Sequence, residues 1–132
     1  MRKTNILYAM LAFLLLIPVT GFAARLSEPE ELDRLVQKIS ERQSKDMKTF
    51  EKKTRAYFFE EQKPEAIASV IGQVAPGEAI TVIVLPNLSK KPVQDIIAMK
   101  KAGKTWQEIA DKTGVKLKAL VKDVKDFRLG IG

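Results

Sequence analysis

The sequence predicts an all-α protein. Three observations carry that expectation. Apolar residues recur at helical spacing through most of the chain after residue 30, and helix-start signals stand in front of several of those segments. Only one stretch beyond the leader, Glu78 to Leu85, has the β-branched composition of a strand. A strand without a partner would leave its backbone amides unpaired, whereas a short buried helix between Pro76 and Pro86 satisfies its own. Helix is therefore the expected state there, and a strand would require a second chain.

The chain has 132 residues, room for one modest core. It contains no Cys and no His, which excludes disulfide frameworks, thiol chemistry and the usual zinc constellations. No cofactor or metal is expected. The remaining acids, among them Asp95, Glu108, Asp111, Asp123 and Asp126, are spaced as helix-surface residues, so no catalytic role is expected.

Arg2 and Lys3, the apolar run from Ile6 to Ile17, Pro18 and the small-residue pattern Gly21-Phe22-Ala23 together predict a secretory signal peptide over residues 1–23. The alternative is an uncleaved anchor, because the segment 6–24 nearly has the length that spans a bilayer. Either way an exported protein is expected, periplasmic or secreted. Removal of residues 1–23 lowers the net charge from +7 to +5, since the segment carries two basic residues and no acid. Residues 24–89 hold 10 basic and 11 acidic side chains and residues 90–132 hold 11 and 5, so the excess belongs to the last third. Such asymmetry suits a polyanion, or merely solvates helix faces.

Residues 24–62 are expected to form a long helical arm. Ser27, Pro29 and Glu30 make a capping box, and no Gly or Pro follows until Pro64. Leu32, Leu35, Val36 and Ile39 share one face, and Met47, Phe50, Thr54, Tyr57 and Phe58 continue a stripe after a polar interval. Because that interval offers nothing to pack, the first stripe is expected to be exposed or to meet a second copy, giving self-association through the N-terminal helix. Tyr57 and Phe58 are expected to attach the arm to the rest.

Residues 63–132 are expected to form a small bundle of short helices. Ile67, Val70, Ile71 and Val74 define one, closed by Pro76 and Gly77. Ser89 caps another that contains Val93, Ile96 and Ile97 and ends at Gly103. Thr105 and Glu108 form a second capping box, Gly114 ends that helix, and Lys116 to Phe127 makes the last, leaving 128–132 without structure.

Gly103, Thr105, Ile109, Ala110, Gly114, Val115, Leu120 and Val124 give residues 89–127 a pattern that resembles resolvase-type and sigma-factor-type helix-turn-helix domains. It also resembles small exported bacterial proteins with a Gly-x-x-Trp-x-x-Ile-Ala segment, a resemblance that implies no established activity. The DNA-binding relatives imply that Lys116, Leu117, Ala119 and Val121 would face a major groove. Two of those four are apolar, and no Arg, Asn or Gln lies between Lys116 and Phe127 to read a base edge. Leu117 and Val121 are instead expected to pack against the Tyr57–Phe59 end or a partner. Lys116, Lys118, Lys122 and Lys125 could hold phosphates without sequence preference, and Trp106 is expected as a partly exposed lid.

The function expected from the sequence is a non-catalytic binding or structural interaction module with an unknown protein partner. A polyanion is a possible partner and nucleic acid a less favoured one, and membrane contact would come only through an uncleaved signal. The alternative is a nucleic-acid-binding protein without sequence specificity.

Overall fold

The computed structural model describes residues 25–132, and the signal expected at residues 1–23 lies outside them. Every regular element among the described residues is helical. In chain order these are α1 (Glu28–Gln43), α2 (Met47–Tyr57), α3 (Pro64–Ile71), α4 (Pro76–Ser89), α5 (Val93–Lys101), α6 (Trp106–Thr113) and α7 (Leu117–Ile131). The all-α expectation holds, including the segment 78–85, which lies inside α4.

Local signals start and stop these helices. Ser27 caps α1 by accepting the Glu30 amide, with three acids in the first turn facing the positive helix end. Thr105 and Glu108 form the reciprocal box at α6. Gly103 and Gly114 have positive φ, 86° and 71°, which a residue with a Cβ resists, and each lets the chain reverse out of a helix.

One long helix over 24–62 does not form. The chain breaks after Gln43, because Asp46 accepts the Thr49 amide at 3.1 Å and its hydroxyl at 2.7 Å, starting α2 afresh. The polar interval gives no packing to oppose that local cap. The turn allows α2 to lie on α3 and α7.

Nor is the first stripe exposed. Leu32, Leu35 and Ile39 are buried in the same core as Ile80, Ile83, Leu120 and Phe127, and α1 packs on both α4 and α7. The face expected to seek a second copy is covered within the chain. Each fully covered aliphatic side chain contributes roughly 1.5 to 3 kcal/mol.

The centre of the bundle is α4, buried on all sides from Ala79 to Leu85 and packed against α1, α3, α5 and α7, with the one polar side chain there, Thr81, donating its hydroxyl to the Gly77 carbonyl. Pro86 does not stop it, contrary to expectation. The helix runs on to Ser89, whose hydroxyl donates to the Leu85 carbonyl at 2.8 Å, and Lys90 closes it with φ 59° and an amide bond to the Pro86 carbonyl. Packing by four neighbours outweighs the one lost backbone bond. As a result Ser89 does not cap α5; Pro92 holds that position. Likewise α3 ends at Ile71, and Pro76 opens the following helix instead of closing this one. The C-terminal tail is also ordered: α7 extends to Ile131, whose carbonyl accepts from Lys53 Nζ at 3.1 Å.

At Gly77 the first turn of α4 meets the backbone of α1. A Cβ there would overlap the Val36 main chain, and the Gly77 amide donates to Ser40 Oγ at 2.9 Å. Gly77→Ala is therefore expected to lower stability by about 3 kcal/mol, the upper part of the usual overpacking range. Gly72→Ala, at a helical backbone position with no close neighbour, is expected to change it by no more than about 1 kcal/mol. Urea denaturation of both variants decides this, and equal effects would remove Gly77 as a fixed point of the fold.

Candidate cationic docking surface

The residues singled out by sequence separate into a buried set and an exposed set. Leu117 and Val121 are both buried in the core. At the aromatic end of α2, Phe58 stacks on Phe127 with centroids 5.5 Å apart, and Tyr57 and Phe50 approach the same ring edge-on at 5.0 and 6.5 Å. Leu117 lies ten residues before Phe127, about 15 Å along the helix. The attachment of α2 is therefore as expected, but Phe127 makes it.

Trp106 is 5% exposed, more deeply covered than a partly open lid, and Lys100 Nζ sits 4.5 Å from its ring centroid. Little ring surface is left for a ligand. Lys116, Lys118, Lys122 and Lys125 are all exposed. Lys122 donates to Asp126 at 2.8 Å, a bond that raises its ammonium above the ordinary lysine value, and Lys125 stands 4.0 Å from Glu31.

The principal concentration of positive charge lies elsewhere, along the groove between α1 and the second half of α7. From α1 come Arg34, Lys38 and Arg42, and from the turn after it Lys45; from α7 come Lys125 and Arg128; Arg25 stands at the entrance. Two side-chain carboxylates, Glu31 and Glu41, share the lining with the terminal residue Gly132. Among the described residues, Lys125 alone of these cations has a carboxylate within 4.0 Å. Glu41 is engaged by Gln37, whose side-chain amide donates to it at 3.0 Å. Leu26 and Leu129 flank the groove, 46% and 68% exposed.

Of these cations the sequence pointed to Lys125 alone. A usable signal was present: residues 34, 38, 42 and 45 repeat at i, i+4, i+8 and i+11 beside the apolar stripe. It was hidden by the near-neutral balance of residues 24–89, which averages a polarised helix away.

On another side of α7, Asp123 and Asp126 line a small recess with Tyr57, Phe58, Glu61, Val84 and Asn87. Burial pushes the Asp123 carboxyl above its ordinary value of 3.8, with Asp126 adding to the effect and Lys122 opposing it. The phenol of Tyr57 is raised by burial and then by the same two carboxylates. A carboxyl raised by folding holds its proton more tightly in the folded chain. Its contribution to stability is thus complete below pH 3.8 and is lost as pH rises through the raised folded value. Asp123→Asn is accordingly expected to raise the melting temperature at pH 7 and to leave it unchanged at pH 3, as measured by circular dichroism.

No protein-family model, curated protein or solved structure matches this chain, so what the surface does must be argued from its own chemistry.

Proposed function

We propose that this chain is an exported, non-catalytic binding module that holds a polyanionic partner on the cationic groove between α1 and α7. One observation carries the proposal: seven basic side chains converge there against two side-chain carboxylates, with a single ion pair among them. Unpaired exposed cations raise the local concentration of an anionic partner and steer its approach. The apolar surfaces first expected to bind a protein, Leu32 to Ile39 and Leu117 with Val121, are internal and offer a partner nothing.

The last three helices are best regarded as a helix-turn-helix-like unit kept for its compactness. Base reading has no support. Leu117 and Val121, which would face a groove in DNA-binding relatives, are buried, and Lys122 is occupied by Asp126.

The purified chain is expected to be retained on immobilised heparin at low salt and released steeply as salt rises. The triple variant Arg34→Glu, Lys38→Glu, Arg128→Glu should elute near the void, whereas Lys116→Glu with Lys118→Glu should shift elution little. Equal behaviour of the two variants would overturn the assignment of the groove. Export is tested separately: cell fractionation with N-terminal sequencing is expected to find the protein outside the cytoplasm and beginning at Ala24.

A further inference from the structure

The groove has a second character besides charge. Leu129 projects from the exposed side of α7 one residue beyond Arg128, and Leu26 follows Arg25. Neither leucine packs in the core, so folding does not require them to be apolar. A row of cations bordered by projecting aliphatic side chains is the arrangement that interfacial helices use at lipid headgroups, with basic residues at the phosphates and leucines in the acyl boundary.

Resting on the reading of the groove as a polyanion site, we propose that its partner is the surface of an anionic phospholipid bilayer. The chemistry of the groove favours this occupant over a nucleic acid. No aromatic ring lines it for base stacking, although Gln43 lies in the lining. Polynucleotide binding needs no exposed leucine, whereas a bilayer gives both Leu26 and Leu129 a place to be buried. The position of the groove agrees. It opens at Arg25, where residues 1–24 join, and those residues include the apolar run from Ile6 to Ile17. A chain still tethered by that run would present this face to the headgroups, and a chain freed at Ala23 keeps the same face.

This attachment is peripheral. No helix among the described residues is long and apolar enough to cross a membrane.

The test uses residues 24–132, because among the described residues every side chain of the core cluster lies between Leu32 and Phe127. Sedimentation with vesicles containing phosphatidylglycerol is expected to carry the protein down at least tenfold more strongly than vesicles of phosphatidylcholine alone, with the binding weakened by salt. Leu26→Gln with Leu129→Gln, which removes apolar surface without changing charge, should reduce vesicle partition about tenfold while leaving heparin retention and the melting temperature unchanged. The Arg34, Lys38, Arg128 charge reversal should abolish both vesicle and heparin binding. Retention on heparin without vesicle binding, vesicle binding indifferent to the two leucines, or preference for a duplex DNA over phosphatidylglycerol would each overturn the bilayer proposal and leave the polyanion site standing. Absence of both heparin and vesicle binding would remove the polyanion site itself.

Discussion

The contact between α1 and α4 at Gly77 is the constraint from which the arrangement of this protein follows. Close approach of two backbones fixes a helix pair more tightly than side-chain packing does, because neither main chain can change rotamer to yield. With the Gly77 amide held by Ser40 and no Cβ to separate the helices, α1 becomes a wall of the core and cannot project as an arm. Its apolar stripe points inward, and the stripe beside it, Arg34, Lys38 and Arg42, is left along the edge that meets α7.

The other side of the groove depends on Phe127. Three aromatic residues, Phe50 from the first turn of α2 and Tyr57 and Phe58 from its far end, converge on this ring, and they hold α7 in place one turn before its exposed end. Helicity therefore continues past Phe127 through Arg128 and Leu129 to Ile131, which packs on the core. Without that anchor the last residues would have no reason to be helical, and Arg128 would have no fixed place opposite Lys38. The groove is thus built by two unrelated packing events, one at each wall.

The sequence made the local chemistry legible and left the tertiary consequences hidden. Capping boxes at Ser27 and Thr105 and positive-φ turns at Gly103 and Gly114 are short-range devices, and each was recognisable from spacing alone. The state of residues 78–85 could be inferred because a strand needs partners the chain does not provide. What escaped depended on neighbours. Pro86 breaks a helix by its intrinsic chemistry, yet four surrounding helices carry α4 through it. The Leu32 stripe looked unpartnered because nothing in sequence announces that Gly77 will lie beneath Val36. The groove was invisible for the same reason: three of its seven cations come from a helix whose docking could not be foreseen. Lys116 and Lys118, by contrast, were conspicuous as part of a basic segment, and the structure brings neither to the groove lining.

Elsewhere on the surface like charges also fall four residues apart, at Lys48 and Lys52 and at Lys118 and Lys122, but α2 and α7 also pair opposite charges at that spacing, Glu51 with Arg55 and Lys122 with Asp126. That pattern is what stability and solubility alone would select. Arg34, Lys38 and Arg42 do the reverse, placing like charges at successive i,i+4 positions, where each neighbouring pair destabilises an exposed helix by about 0.2 to 0.5 kcal/mol. Solvation accounts for scattered lysines, because any one of them could sit anywhere on an outer face. It does not account for a repeated repulsive spacing directly opposite Arg128, or for two leucines left in water at its margins. The proposed phosphate-bearing surface would neutralise all of these cations at once.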